Sequence, residues 1–440
     1  MPGSLPVLNK QVVEYAMAVG LATNCDITQV CKFDRKNYFY PDLPKAYQIS
    51  QLYLPLCRNG SVTLDSGKII RIKEMHMEED AGKMVHIGGD EGRIAGATHS
   101  LVDYNRAGTP LTELVTEPDL RTPEEARLFM QKLRQIYLAL GISDCSMEEG
   151  SMRCDGNVSL RRRGAKEFGV KTELKNMNSF KNLHDGLAYE ICRQAEVLEE
   201  GGQIFQETRH WDPSKKRTIV MRVKETADDY RLFPDPDLAP YDLTDEWIDS
   251  VRAKLPELPD QKAARFEDAF GLTPYDARHL VEHRETADFF EACMELAGDE
   301  AAKLAKPVAN LVINDVTAYL NAHEGVQLAD TPLTPARALA LVRLTAEDVI
   351  SSKQAKEVFA AVLDEDKAAV VEERGMKQVS DTGAIEAVVD AVLAANPDKV
   401  AQYQGGKTGL IGFFVGQCMK EMRGQGNPKL INELLAKKLG

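Results

Sequence analysis

Three acidic stretches hold the residue types that a cation-and-phosphate centre requires. They are HMEEDAGK at 76–83, DYNRAGTPLTELVTEPDL at 103–120 and MEEGSMRCDGNVSL at 147–160. The middle stretch sets Arg106, Glu113 and Glu117 around the turn residues Gly108 and Pro110. Carboxylates that converge on one cleft repel each other and lose hydration, and a bound cation relieves both costs. A hard cation such as Mg²⁺ takes one or two carboxylates and completes its shell with water and phosphate oxygens. Glu79 and Glu113, each near the end of a strand-like run, are the two carboxylates placed for that role. Taken singly, Glu78-Glu79 or Glu148-Glu149 is more often a solvated surface pair, so residue types alone do not separate a site from a surface.

A basic and aromatic stretch precedes them. Within 32–47, Arg35, Lys36 and Lys45 can hold phosphates, and Tyr38, Phe39, Tyr40 and Tyr47 can stack on a base. An aromatic core strand with basic neighbours has the same composition. Other chemistries are absent or incomplete. Gly405-Gly406-Lys407-Thr408 looks like the end of a phosphate-binding P-loop, but Ala401 stands where its first glycine is required. There is no G-x-S-x-G elbow and no H-E-x-x-H. His279 and His283 share a face if one helix carries both, yet no third ligand follows in the pattern.

The elements that must position these residues follow from periodicity and punctuation. Alternation over 69–77 predicts a strand that delivers Glu78, Glu79 and Asp80 to its end. Asn59-Gly60 reads as a hairpin turn, and the glycine-rich 86–98 as a loop. A helix is predicted over 10–21. Another runs from Thr122-Pro123 to Leu140 with Gly141 behind it, and a third is capped by Ser179 and stopped at Gly201-Gly202. Strands are predicted at 157–161 and 169–174, and a hairpin over 204–223. The proline-punctuated 233–240 marks a boundary. Beyond it the chain reads as helical, with single helices over 276–296 and 301–320. The fold class is therefore α/β (mixed α+β) in the first half and all-α afterwards, with domains at 1–245, 246–332 and 333–440.

At 440 residues the chain exceeds one ordinary core. Its net charge of −14 argues against nucleic-acid binding by the whole surface but allows a local basic face. Such a face is available near the end, where Lys407, Lys420, Arg423, Lys429, Lys437 and Lys438 outnumber Glu421 and Glu433. The eight cysteines form no C-x-x-C, so the expectation is free thiols, with no zinc site and a reducing, cytoplasmic setting. The longest apolar-leaning run, 408–419, is too short to span a bilayer, and no basic signal region opens the chain.

The ordered stretches PGSLPVLNK, KFDRKNYFYPDLPKAYQISQ, HMEEDAGK, DYNRAGTPLTELVTEPDL, MEEGSMRCDGNVSL, TELKNMNSF and DDYRLFPDPDL resemble the B subunit of aspartyl/glutamyl-tRNA amidotransferase over essentially the whole chain. The resemblance implies a cradle-like catalytic domain, an all-α connector and a small helical YqeY-like tail. It implies a ligase that uses ATP and Mg²⁺ to phosphorylate the side-chain carboxylate of Glu-tRNA(Gln) or Asp-tRNA(Asn). Ammonia then makes the amide. The implied partners are the A and C subunits of the amidotransferase, of which the first is the glutaminase. The family's magnesium glutamates fall on Glu79 and Glu113. Arg35, Lys36, Lys45, Tyr47, Arg106, Glu149, Asp155 and Glu173 lie in family motifs and are assigned to the pocket by their chemistry. Lys407, Lys420 and Arg423 of the tail are candidate tRNA phosphate contacts. Family members begin several tens of residues earlier, with a Glu-x-His strand whose histidine binds metal and, in many, a zinc-binding cysteine cluster. This chain opens at Met1-Pro2-Gly3 with the pattern already under way. The expectation is either a start assigned too late or a form lacking that segment, with weakened or absent kinase activity as written. The alternative is a module that binds tRNA and partners without chemistry. Which misacylated tRNA is used is not legible.

Overall fold

Helix boundaries follow the cap chemistry in the computed structural model, which describes residues 5–88, 96–223, 230–323, 325–365, 382–422 and 426–440. The chain divides into two compact units, Met1–Leu258 and Pro259–Gly440.

The first unit is mixed. In chain order it contains helix α1 (Lys10–Ala22), then strands β1 (Asp26–Ile27), β2 (Val30–Cys31), β3 (Asp34–Asn37), β4 (Tyr47–Ser50), β5 (Cys57–Thr63), β6 (Ile69–Glu79), β7 (Lys83–Ile87), β8 (His99–Asp103) and β9 (Pro110–Thr116). Helix α2 (Pro123–Leu140), β10 (Gly156–Val158), β11 (Thr172–Lys175), α3 (Phe180–Glu199), β12 (Glu207–Asp212), β13 (Arg217–Val223), β14 (Phe233–Pro234), β15 (Tyr241–Asp242) and α4 (Asp245–Arg252) follow. Two four-stranded sheets dominate, in the orders β1-β5-β6-β9 and β10-β11-β12-β13, beside a three-stranded sheet β14-β3-β4. The amphipathic helices bury their apolar stripes in a core shared with the sheets. Val13 and Met17 of α1 and Phe129 and Leu133 of α2 are buried with Ile70, Ile72, Met75 and Met77 of β6. Gly186 of α3 faces Trp211 of β12, where a Cβ would meet the indole at 3.4 Å, in van der Waals contact.

Local chemistry sets these boundaries. Thr122 accepts from the Glu125 N–H, Pro123 sits in the first turn, and Gly141 ends α2 at φ +67°. Ser179 accepts from the Asn182 N–H to start α3. One expected turn is absent. Asn59-Gly60 lies inside β5 as an irregularity, with Asn59 at φ +55°, and the chain reverses instead at Gly67, φ +82°. Gly60 is there for space. A Cβ on it would fall 2.2 Å from Cys25 Sγ and 2.8 Å from the Thr23 carbonyl.

The second unit is helical: α5 (Pro259–Phe270), α6 (Pro274–Leu280), α7 (Arg284–Ala297), α8 (Ala301–Asn310), α9 (Thr317–Ala322), α10 (Pro335–Ala346), α11 (Ser352–Glu365), α12 (Thr382–Ala395), α13 (Pro397–Gln404), α14 (Ile411–Glu421) and α15 (Pro428–Leu439). It holds two separate apolar cores, one drawn from residues 263–363 and one from 385–439. The single helix expected over 276–296 is two, broken at Val281–His283. Thr286 donates its hydroxyl to the carbonyls of Leu280 (2.9 Å) and His283 (2.8 Å), tying the end of α6 to the start of α7. His283 therefore precedes α7 and shares no helix face with His279. No helix among the described residues is long and apolar enough to cross a membrane.

Candidate active site

Strand β6 is longer than its alternation suggests and carries the acidic residues inside it. It pairs antiparallel with β9, with His76 opposite Glu113 and Glu79 opposite Pro110. Residues two apart on a strand share a face, so His76 and Glu78 project with Glu113. One ligand atom from each of the three lies within 4.8 Å of the others. His76 Nε2 is 3.2 Å from Glu78 Oε1 and 3.8 Å from Glu113 Oε2.

Strand β4 fixes this group from the side. Ser50 Oγ donates to Glu78 Oε1 at 2.9 Å, and Gln48 Nε2 donates to Glu78 Oε2 at 3.0 Å and to the Glu79 carbonyl at 2.8 Å. Glu78 is buried, which by itself pushes its carboxyl up. The His76 and Ser50 contacts and the Lys36 charge outweigh that and hold it below its usual range. Glu113 is half-exposed, and its carboxyl is raised by burial and then by the Glu78 charge. Burial would lower His76, but the surrounding glutamates overcome this and raise it.

This donor set fits a divalent cation. Two carboxylates and an imidazole within 4.8 Å can all reach one ion at oxygen and nitrogen ligand distances of about 2.0–2.6 Å. The two carboxylates repel each other, which helps to raise Glu113, and a cation between them relieves that repulsion. No other such group occurs among the described residues.

Glu79 stands apart from the cluster. Strand alternation turns it to the other side of β6. Lys45 Nζ binds its two oxygens at 2.5 and 2.6 Å, and the Ile49 N–H donates to Oε1 at 3.1 Å. Lys45 also stacks near Tyr47 (5.0 Å to the ring centroid), and Arg35 lies 4.2 Å over the same ring. Arg35 is held by Asp235 at 3.1 Å and by Asp237. Its neighbour Lys36 lies 5.2 Å over Tyr230 and bears electrostatically on Glu78 and Glu113. Asp155 also acts on Glu113, raising it, and is paired with Lys175 at 2.7 Å. Glu173 on β11 accepts from the Thr208 hydroxyl at 2.8 Å.

Two further pocket candidates lie in turns. Arg106 donates to the carbonyls of Ala81 (3.0 Å) and Gly82 (2.9 Å) and pairs with Asp80, so it braces the turn after β6. Glu149 is exposed in the turn where its own N–H bonds Ser146 Oγ. In the helical unit Lys407 and Lys420 are exposed, and Arg423 lies outside the described residues.

Sequence reasoning missed His76, Glu78, Gln48 and Ser50. The signal for the first two was available. Counting the period-2 alternation back from Glu78 and across to Glu113 puts His76 and Glu78, not Glu79, on one face once β6 is allowed to run past Met77. The β4 residues carry no local signal, because their meeting with Glu78 is set by tertiary packing.

Residues 1–249 match the family described as the GatB/GatE catalytic domain, and residues 288–439 match the one described as the GatB domain. The B subunit of the aspartyl/glutamyl-tRNA(Asn/Gln) amidotransferase of Carboxydothermus hydrogenoformans is 53% identical over 447 residues, which takes in 100% of this chain and 90% of the relative. The protein of the same name from Geobacter sp. is 52% identical, with 100% and 91% covered, and that from a Picosynechococcus sp. is 48% identical, with 100% and 89% covered.

Proposed function

The chain belongs to the GatB/GatE family, and from that premise we propose that it is the B subunit of a tRNA-dependent amidotransferase, a carbon–nitrogen ligase of protein biosynthesis. In this reading it transfers the γ-phosphoryl group of ATP to the side-chain carboxylate of Glu-tRNA(Gln) or Asp-tRNA(Asn). ADP leaves and an acyl phosphate forms. Ammonia then attacks the acyl carbon and inorganic phosphate departs, giving the amide. The chemistry needs the first step because a carboxylate oxygen leaves poorly, whereas phosphate leaves well.

The observation that carries the proposal is the His76, Glu78 and Glu113 cluster inside a chain of this family. These three residues hold the divalent cation, for which Mg²⁺ is the natural choice beside ATP. When bound, that ion neutralises charge on the transferring phosphoryl group. Gln48 and Ser50 orient Glu78. Lys36, poised near both glutamates, supplies positive charge at the phosphate end, and the Arg35–Tyr47–Lys45 stack offers a flat, cationic wall to the nucleotide. Asp155 acts on Glu113, and its partner Lys175 offers positive charge to the approaching substrate carboxylate.

The ammonia comes from an amidase-type glutaminase, the A subunit, and the C subunit completes a cytoplasmic complex. We read residues 1–245 as the cradle, 246–332 as the connector and 333–440 as the tRNA-holding tail, with Lys407 and Lys420 among its phosphate contacts. The test is conversion of labelled Glu-tRNA(Gln) to Gln-tRNA(Gln) by the chain assembled with the A and C subunits, with glutamine and Mg-ATP. Turnover is expected, with loss of at least two orders of magnitude in Glu113→Gln, since it removes charge stabilisation of the kind worth about 10²–10³-fold elsewhere. Full activity of that variant refutes the proposed role of the cluster.

A further inference from the structure

The segment joining β10 to β11, residues 159–171, is strongly basic. It carries Arg161, Arg162, Arg163, Lys166 and Lys171 against the single carboxylate of Glu167, in a chain whose net charge is −14. All five cations are exposed. Among the described residues no ion pair engages any of them, although most other basic side chains of this unit are paired. Phe168 is 59% exposed and Val170 48%. Unpaired like charges on one short loop repel each other, so their clustering costs free energy that an anionic partner recovers.

The loop is built, not slack. At its neck Gly169 lies so close to the chain that a Cβ would sit 2.0 Å from the Leu160 carbonyl oxygen. Gly164, at φ +89°, turns the tip, and the Ala165 N–H closes a turn on the Arg162 carbonyl at 3.0 Å. Arg161 donates to the Lys166 carbonyl at 2.7 Å and stacks 4.7 Å over the Phe168 ring. Arg161 is thus the internal brace, and Arg162, Arg163 and Lys166 are left to face outward. The loop leaves β10, which starts one residue after Asp155, and returns into β11, whose Lys175 pairs with Asp155, the carboxylate that acts on Glu113.

We propose that loop 159–171 is an RNA-contacting finger of the catalytic unit, holding backbone phosphates of the tRNA with Arg162, Arg163 and Lys166 and offering Phe168 to an unstacked base. It rests on the proposed function for the identity of the polyanion. An exposed aromatic ring set among unpaired cations fits a single-stranded nucleic acid better than a folded acidic protein, because it supplies a stacking platform beside the phosphate contacts. Phosphate contacts fix position without reading sequence, so the finger serves cognate and non-cognate tRNA alike.

The experiment measures anisotropy of fluorescent tRNA(Gln) and of a non-cognate tRNA transcript, with the full chain assembled with the A and C subunits, across a KCl series. The variant Arg162→Ala/Arg163→Ala/Lys166→Ala removes only exposed groups. It is expected to bind both RNAs about tenfold more weakly, and each phosphate interaction removed lowers the slope of log affinity against log salt by about 0.7–0.9. Lys166→Glu alone is the second variant and is expected to weaken both RNAs by the same factor as each other. Affinity and slope unchanged in both variants, while the complex still converts Glu-tRNA(Gln), overturn the finger and leave the proposed function standing. A wild-type complex that neither binds nor converts tRNA overturns both. Loop-dependent binding to phosphatidylserine vesicles, with no loop dependence for tRNA, overturns the finger in favour of a membrane surface.

Discussion

The two adjacent glutamates of β6 make opposite predictions. Glu78 faces His76 and Glu113, whereas Glu79 is bound to Lys45 on the other side of the strand. Replacing Glu78 by Gln removes one unit of negative charge from the cation's shell. At a separation of 4 Å and an effective dielectric constant near 20, each unit of cation charge is worth about 4 kcal/mol to a carboxylate, about 8 kcal/mol for a divalent ion, of which desolvation takes back about half. Each decade of affinity is about 1.4 kcal/mol, so Glu78→Gln is expected to weaken divalent-cation binding by about three decades. Glu79→Gln leaves Lys45, a partly exposed ammonium, without its carboxylate. That costs stability of about 1 kcal/mol, as partly exposed ion pairs do, and leaves cation affinity within a few-fold of wild type. The assay is titration with Mn²⁺ followed by its paramagnetic signal, with thermal melts alongside. Wild type and Glu79→Gln should melt higher as Mn²⁺ is added, because an ion that binds only the folded chain stabilises it, and Glu78→Gln should not respond at the same concentrations. Loss of binding in Glu79→Gln with retention in Glu78→Gln refutes the strand-parity argument and returns the site to the Glu79 side of β6.

Two further outcomes concern the scaffold. Glu190 on α3 is fully buried and accepts from Arg193 (2.6 Å), Gln194 (2.9 Å) and Thr218 (3.0 Å); Glu190→Ala leaves Arg193 and Arg209 to share Glu207 and should destabilise the first unit by about 3 kcal/mol, read as an earlier urea midpoint. In the second unit, burial pushes the Asp276 carboxyl up, but Lys306 at 2.6 Å and the Thr273 contacts hold it below its usual range. A depressed carboxyl contributes stability that is complete above its ordinary pKa and declines as pH falls through the folded value. Acid melts should therefore show a shallower loss of stability below pH ~4 in Asp276→Asn than in wild type.

Legibility divides along the range of the interactions. Caps at Thr122 and Ser179, the stop at Gly141 and the mixed-to-helical change are local, and each is readable from a few neighbouring residues. Asn59-Gly60 misleads because its glycine answers a distant demand, the approach of Cys25 and Thr23, and not a turn of its own. The break between α6 and α7 is hidden because apolar periodicity runs through it, while the Thr286 hydroxyl that secures it looks like any helical threonine.

The candidate site shows the same division inside one strand. The resemblance marks the stretch and the alternation of β6 marks the face, and only the two together separate Glu78, beside His76 and Glu113, from Glu79, beside Lys45. A motif marks which residues are near the chemistry; it does not mark which side of the backbone each one takes. Here that side is fixed by partners far away in sequence: Ser50 and Gln48 on one face of β6, and Lys45 on the other. A lysine placed at the Glu79 side neutralises the carboxylate that would otherwise compete for the cation. It also leaves Glu78, Glu113 and His76 as the group that can converge on one ion. The division of labour between two neighbouring glutamates is therefore a property of the sheet, and substitutions at Lys45 should bear on stability and on the nucleotide wall before they bear on the cation.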